Sequence, residues 1–229
     1  MTVAQHLIFG ADDTLWENNV LFEQVTADFL DWLAHPNRDR DQIRHILDDV
    51  ERANCAAHGY GAKVFTRSLE DTFRRVVSRE PRPEDFAAIR RLVERLAWEE
   101  LDIIPGVQET LAALGTRHDL VLLTKGEREE QALKIEVSGL AHLFRRSVIV
   151  PEKDAEVYRG LVADDGLDPA RTWMIGNSPR SDIMPAVEAG LRAAYVPHPH
   201  TWRLEQSQLP DSHPAILRLP HFRALLEHL

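Results

Sequence analysis

The stretch Leu7-Ile8-Phe9-Gly10-Ala11-Asp12-Asp13-Thr14-Leu15-Trp16 decides the fold of this chain, because an apolar run ends abruptly in two carboxylates and a threonine. This is the pattern of a buried strand that delivers polar groups to one edge of a sheet. Asp13 is out of phase with residues 10, 12 and 14, so on an extended segment its side chain is expected to point to the opposite face.

Residues 16–100 show a different pattern, with apolar residues at helical spacing in four successive stripes. The stripes include Phe29, Leu47, Leu69 and Ile89, and Pro83 opens the fourth. Four consecutive amphipathic helices are typical of a small bundle. We therefore predict a four-helix-bundle cap domain over residues 16–100, inserted above the carboxyl end of the sheet.

From residue 101 onward, short apolar runs alternate with helical segments, which indicates a parallel sheet covered by helices. The runs lie at 120–123, 147–150, 172–175 and 193–196. Together with the first strand they predict an α/β fold. It is a Rossmann-like parallel sheet core flanked by helices, formed by residues 1–15 and 101–229.

The composition excludes several classes of partner. The 229 residues carry a formal net charge of −10. The sequence has no basic block interleaved with aromatic residues, so we do not expect a nucleic-acid partner. No apolar run approaches the roughly 20 residues that span a bilayer, and the N-terminus shows no signal-peptide pattern. The single cysteine, Cys55, excludes an intrachain disulfide, so we expect a cytoplasmic protein.

Polar residues follow each predicted strand, at the edge where parallel sheets bind ligands. The second strand is followed by Thr124, Lys125 and Gly126, where the glycine would let backbone N–H groups approach an anion. The later strands are followed by Lys153, and then by Asn177 and Asp182. Hydroxyl, ammonium and carboxylate groups at one edge suit a phosphoryl group with a hard cation opposite it.

In this order and spacing, the motifs resemble those of the haloacid dehalogenase (HAD) superfamily. The likeness is to its phosphatase-like branch with a C1-type helical cap, and it covers essentially the whole chain. The positions that match the four motifs are Gly10, Asp12 and Thr14 in the first, Thr124 in the second, Lys153 in the third, and Asn177 with Asp182 in the fourth.

The resemblance implies a role for each matched position. Residue 10 would attack a small phosphorylated metabolite and form an aspartyl-phosphate, while Asp12 protonates the leaving group and then activates water. Thr124 and Lys153 would hold the phosphoryl oxygens, with Thr14, Lys125 and Gly126 also near the substrate. The implied cofactor is Mg²⁺, bound by the residue-10 carboxylate, the backbone carbonyl of Asp12 and the fourth-motif residues Asn177 and Asp182.

Two positions depart from the family's pattern. Gly10 offers neither a nucleophile nor a metal ligand, and Asn177 offers an amide oxygen without charge. We therefore expect weakened Mg²⁺ affinity, and loss of a covalent nucleophile can reduce a rate by about 10⁶. Three explanations stay open: a mutated copy of an active phosphatase, a natural member that binds a phosphorylated ligand or a partner without turnover, or direct action of Asp12 on water.

Other features have weaker interpretations. Dehalogenation of a 2-haloacid is a less favoured activity, because it needs the same nucleophile while Asp12 favours phosphate chemistry. His198 and His200 have the spacing of a metal pair, but Pro199 between them and the loop context predict exposed histidines. Trp16 is predicted to pack at the hinge or to contact substrate.

Overall fold

The computed structural model describes residues 4–96 and 100–229 of the chain. The chain divides into two compact units. One consists of Met1–Asn19 together with Glu99–Leu229, and the other is Val20–Trp98. No helix in these described ranges has both the length and the apolar character that crossing a bilayer requires.

A six-stranded sheet organises the larger unit. Its strands are β1 (His6–Phe9), β2 (Asp119–Lys125), β3 (Arg146–Val150), β4 (Thr172–Gly176), β5 (Arg192–Tyr195) and β6 (Ile216–Arg218), in the spatial order β3-β2-β1-β4-β5-β6. All neighbouring strands are parallel, and Ile8 of β1 is in register with Val121 and with Met174. This confirms the predicted Rossmann-like α/β fold. Because β1 is central, its carboxyl end lies between the ends of β2 and β4, where such sheets bind ligands.

The smaller unit is helical. Its helices are α1 (Asn19–Leu33), α2 (Arg40–His58), α3 (Ala62–Val76) and α4 (Pro83–Val93). The residues Phe29, Leu47, Leu69 and Ile89 from the four stripes are all fully buried. Helix α2 begins with a capping box, in which Asp39 accepts from the Gln42 backbone N–H (2.8 Å) while the Gln42 side chain accepts from Asp39 N–H (3.2 Å).

Helices cover both faces of the sheet, which explains why its strands are apolar throughout. They are α5 (Val107–Gly115), α6 (Arg128–Val137), α7 (Ala155–Asp164) and α8 (Met184–Glu188). Leu7 and Phe9 pack into one apolar cluster, and Ile8 packs on the other face in a cluster with Tyr158 and Met174. All three β1 residues are inaccessible to solvent, so β1 is held rigidly.

The segment after β4 is helical. A π-helical turn at Pro179–Ile183, in which the N–H groups of Asp182 and Ile183 both donate to Ser178 O (3.0 and 3.1 Å), leads directly into α8 at Met184. Strand β6 was not predicted, because its three residues lie in a tail rich in proline and histidine. A strand this short carries no measurable alternation pattern.

Candidate active site

Position 10 lies at the end of β1, where the backbone N–H of Gly10 donates to Ile175 O of β4 (2.8 Å). Its φ is not positive, so a side chain is compatible with the backbone. A Cβ built on Gly10 would lie 3.1 Å from Thr14 Oγ1, and 3.3 and 3.5 Å from the two carboxylate oxygens of Asp182. The family's nucleophile position therefore faces a threonine hydroxyl and a buried carboxylate.

Asp182 and Lys153 form a buried ion pair beside Gly10. Lys153 Nζ donates to Asp182 Oδ1 at 2.7 Å, and their side chains are 7% and 3% exposed. The other carboxylate oxygen, Oδ2, accepts from Ser178 N–H at 3.0 Å. Both oxygens of the fourth-motif acid are thus already engaged by donors of the protein.

Thr14 and Asn177 join the ends of β1 and β4. The Thr14 hydroxyl donates to Asn177 Oδ1 (3.0 Å) and accepts from Asn177 N–H (3.2 Å), and both residues are buried. The Asn177 side-chain NH₂ donates to Thr201 Oγ1 at 3.0 Å. The structure therefore brings Gly10, Thr14, Lys153 and the fourth-motif residues together, and it ties the amide of Asn177 into a hydrogen-bond chain.

Asp12 lies in a second, separate hydrogen-bond network. Trp16 Nε1 donates to its Oδ1 at 2.8 Å and Gln131 Nε2 donates to its Oδ2 at 3.0 Å. Lys134 Nζ lies 3.4 Å from both oxygens and 2.7 Å from Asn18 Oδ1. Trp16 is fully buried and acts as a hydrogen-bond donor to Asp12, a contact that neither sequence interpretation of this residue included.

Gln131 and Lys134 of α6 are site residues that sequence reasoning missed. Lys134 is 1% exposed, whereas the adjacent Leu133 is 44% exposed, so α6 turns a polar edge inward and an apolar residue outward. The buried positions Gln131, Lys134 and Ile135 follow helical spacing. The sequence did contain a signal for these two residues. The apolar stripe of α6 is weak, but helical spacing places Gln131 and Lys134 in phase with Ile135.

The residues Thr124, Lys125 and Gly126, predicted to bind substrate, all engage other groups of the protein. The Thr124 hydroxyl donates to Gln131 Oε1 (2.8 Å), and Gly126 N–H donates to Val150 O (3.1 Å). Gly126 has φ +146°, and a Cβ there would lie 3.0 Å from the Gln131 side chain. The glycine therefore makes room for Gln131, and its N–H belongs to the sheet.

Lys125 connects three segments at this edge of the sheet. Its Nζ donates to Glu205 Oε1 (2.7 Å), to Ser181 Oγ (2.9 Å) and to Glu152 Oε1 (3.1 Å). Burial acts to raise the pKa of Glu205, but the Lys125 ammonium and hydrogen bonds from Ser178 and Ser181 outweigh it and hold that pKa below its usual value. Lys125 thus stabilises the loop that carries Asp182.

Asp13, Glu17 and His198 form a cluster close enough to hold a cation, with one ligand atom of each lying within 4.8 Å of the others. His198 Nε2 lies 3.2 Å from Glu17 Oε1, and His198 Nδ1 lies 3.9 Å from Asp13 Oδ1. The side chain of His198 is only 9% exposed, so the expectation of an exposed histidine was wrong there, while His200 is exposed.

The Asp13 carboxyl is perturbed by its surroundings. The Asp13 backbone has φ 55°. The side-chain oxygen Oδ1 accepts hydrogen bonds from Asn18 N–H and Asn19 N–H, both at 2.9 Å. Burial raises its pKa to about 7, with the negative charges of Asp12 and Glu17 adding to the effect and the two N–H groups opposing it. Its carboxylate lies in the cluster with Glu17 and His198 and accepts from Asn18 and Asn19, so it does not take the place of a residue-10 carboxylate.

The fold and the order of these residues define a hydrolase of one family. Residues 4–190 match the family model described as haloacid dehalogenase-like hydrolase. The chain belongs to this family, as the four motifs suggested.

The chain is also similar to individual characterised and solved proteins. It is 33% identical over 178 residues to a phosphoserine phosphatase from Thermus thermophilus, across 74% of this chain and 69% of that protein. A haloacid dehalogenase-like family hydrolase from Xanthomonas campestris superposes with a TM-score of 0.83 and 28% identity, covering 99% of this chain and 96% of that one.

More distant structures share the fold alone. A predicted phosphoglycolate phosphatase from Haemophilus somnus superposes with a TM-score of 0.67 at 20% identity, covering 100% of this chain and 99% of that one. Solved 2-haloacid dehalogenases also share the fold. The relatives thus include both phosphatases and dehalogenases.

The residues around Gly10 do not fit a tight Mg²⁺ site. In the described part of this pocket Asp182 supplies the carboxylate, and the Lys153 ammonium already lies 2.7 Å from it. Asn177 supplies a neutral oxygen that accepts the Thr14 hydroxyl. Because Mg²⁺ prefers carboxylate ligands and loses its water reluctantly, this donor set is poor, and we derive no chemical step through the metal.

Proposed function

We propose that this chain is a HAD-type protein whose cleft is arranged for a small phosphomonoester, and that Gly10 prevents turnover through an aspartyl-phosphate. The observation that carries the proposal is the geometry at position 10. A side chain there would project toward Thr14 and Asp182, next to the Lys153 ammonium, on a backbone whose φ is not positive. Its Cβ would lie 3.1 Å from Thr14 Oγ1, so the threonine would have to move slightly. The surrounding groups are those of a phosphatase, and the nucleophile is missing.

The chain's own residues support binding of a phosphorylated metabolite. Lys153 and the Thr124 hydroxyl can each exchange a protein partner for a phosphoryl oxygen, since both lie at strand exits. Asp12 accepts hydrogen bonds from Trp16 and Gln131, and we propose it as the residue that donates or accepts a proton at the leaving group. Without a residue-10 carboxylate, general acid–base help alone would supply only about 10²–10⁴ in rate.

The relatives favour phosphate chemistry over dehalogenation. The curated protein that matches at 33% identity is a phosphoserine phosphatase, whereas the two solved 2-haloacid dehalogenases reported above are 20% and 16% identical. A small phosphomonoester is therefore the proposed ligand. We further propose a cytoplasmic setting, consistent with the lone Cys55.

The first prediction concerns Gly10→Asp, tested on a panel of small phosphomonoesters with Mg²⁺ present. We expect phosphate release to rise by several orders of magnitude over the wild-type chain, because the substitution supplies the attacking carboxylate. Phosphate release measured colorimetrically gives the rate. Acid quenching and mass spectrometry should detect a covalent phosphoryl adduct on residue 10.

Gly10→Asn is the matched control, since it adds nearly the same volume without a carboxylate and should remain inactive. Asp12→Asn in the Gly10→Asp background should remove most of the gained activity. If the Gly10→Asp variant releases no phosphate from any member of the panel, the proposal is wrong. Chloride release from a 2-haloacid by that variant would favour the dehalogenase alternative.

A further inference from the structure

We infer that the pocket beside Gly10 does not bind a divalent cation. The Lys153 ammonium neutralises Asp182 there in place of a metal ion. The inference concerns Gly10, Thr14, Lys153, Asn177 and Asp182, which we call the Gly10 pocket. It rests on the proposed function only in assigning this pocket as the ligand cleft.

The charges of the Gly10 pocket already balance. Asp182 contributes one negative charge and Lys153 one positive charge, while Gly10, Thr14 and Asn177 are neutral. All five residues are buried. A divalent cation would therefore leave two uncompensated positive charges in a place with little water, and burying such charge is strongly unfavourable.

The packing of Asp182 holds this ion pair in place. A Cβ built on Gly176 would lie 2.2 Å from Asp182 Oδ2, so the carboxylate rests directly against the Gly176 backbone. Ser178 N–H donates to that same oxygen, which leaves Oδ1 directed at Lys153. To reach a metal, Asp182 would have to give up a charge-assisted hydrogen bond of 2.7 Å.

The two uncharged positions explain why no cation is needed. A Cβ at position 10 lies 3.3 Å from one Asp182 oxygen, so an aspartate there would place two carboxylates side by side. Two neighbouring carboxylates favour a cation between them or protonation of one. Asn177 removes a further possible charge while its amide bonds to Thr14 and Thr201. Gly10 and Asn177 are therefore the residues that make the pocket neutral without metal.

The test measures binding of Mg²⁺ by calorimetry, and of Mn²⁺ by electron paramagnetic resonance, with no phosphoester present. We expect no saturable binding in the Gly10 pocket of the wild-type chain below about 10 mM. Gly10→Asp and Asn177→Asp should each tighten binding at least about tenfold, and the double variant about 10²-fold, because each adds a carboxylate ligand. Lys153→Gln should also gain affinity, since it frees Asp182 from its ammonium.

Two further variants assign any binding that is seen. Asp182→Asn removes the Gly10 pocket's carboxylate, and Glu17→Gln disables the cluster of Asp13, Glu17 and His198. Wild-type binding that is lost with Glu17→Gln but kept in Asp182→Asn lies outside the Gly10 pocket and agrees with the inference. Wild-type binding below about 10 mM that disappears with Asp182→Asn overturns it.

A second outcome also overturns the inference. It fails if neither the double variant nor Lys153→Gln binds metal better than the wild-type chain. If Lys153→Gln does not fold by circular dichroism, the double variant alone decides, because it keeps Lys153. The metal-binding measurements need no substrate. An inactive Gly10→Asp variant would therefore count against the proposed function, while the metal affinities alone decide this inference.

Discussion

At the residue scale, the ion pair of Lys153 and Asp182 sets the charge balance beside Gly10. The departure at Gly10 and the neutral Asn177 were evident from motif spacing. That Lys153 pairs with Asp182 at 2.7 Å was not, since the two residues are 29 positions apart and the motif assigns each a different ligand. The ion pair changes the expectation from weak metal binding to a pocket balanced without metal.

The carboxyl of Asp13 gives a prediction at the same scale. With a pKa raised from 3.8 to about 7, Asp13 keeps its proton in the folded chain over a pH range in which the unfolded chain releases it. Asp13 therefore makes the wild-type protein less stable as pH rises from about 4 to 7. Asp13→Asn keeps an acceptor for the Asn18 and Asn19 N–H groups and lacks this titration.

We expect the stability of Asp13→Asn relative to wild type to increase with pH in this window, by at most about 1.4 kcal/mol per pH unit. Urea unfolding of both proteins at several pH values from 4 to 8 measures it. The low-pH end is the internal control, because both proteins should then have similar stabilities. Parallel curves for the two proteins would show that burial does not hold Asp13 protonated.

At the element scale, helix α6 buries two polar residues beside Ile135. Its buried edge carries Gln131 and Lys134, and these side chains reach Asp12 across 119 and 122 residues of sequence. Leu133 is exposed on the other side. Helical spacing from the buried Ile135 places Gln131 and Lys134 on the same side, but a rule that every buried position is apolar would pass over both. Their hydrogen bonds to Asp12 offset the cost of burying them.

Because Lys134 is buried and the adjacent Leu133 is exposed, alanine substitutions at the two positions should lower the free energy of unfolding by unequal amounts. Lys134→Ala should lower the free energy of unfolding by about 1–3 kcal/mol, since it removes a buried ammonium that contacts Asp12 and Glu130. Leu133→Ala should change it by within about 0.5 kcal/mol, because this side chain is largely exposed. Denaturant unfolding of both variants provides the comparison, and equal costs would contradict the described orientation of α6.

At the scale of the whole molecule, the helical unit interrupts the sheet unit in sequence, and the two segments of the sheet unit on either side of it are hydrogen-bonded to each other. Glu17 N–H donates to Asp102 O (2.8 Å) and Ile104 N–H donates to Leu15 O (3.0 Å), so the chain leaves and re-enters the sheet unit side by side. The apolar cluster around Leu7 and Phe9 is built within that unit. The sheet unit therefore contains its own core.

This closure predicts that residues 20–98 can be replaced by a short glycine-rich linker. The remaining chain should unfold cooperatively, with the far-ultraviolet circular dichroism of an α/β protein, because β1 keeps both of its neighbouring strands. Thermal unfolding followed in the far and near ultraviolet measures this. A broad transition without near-ultraviolet signal would mean that the sheet unit needs the helices to fold.

The sequence by itself determined the class of fold and the family of this protein. Apolar runs and helical stripes are local patterns of neighbouring residues, so the parallel sheet and its alternation with helices could be predicted from them, and motif order identified a HAD hydrolase. The limits of the two predicted domains and the roles of the site residues stay predictions.

Only the tertiary structure decided which partner each polar side chain takes. Thr124 bonds to Gln131, Lys125 to Glu205 and Lys153 to Asp182, and each pairing joins different elements. Hydrogen bonds and ion pairs depend on distances of about 3 Å across the fold, which no periodicity encodes. For that reason the sequence could show that Gly10 lacks a nucleophile, while only the fold could show that its pocket is already neutral.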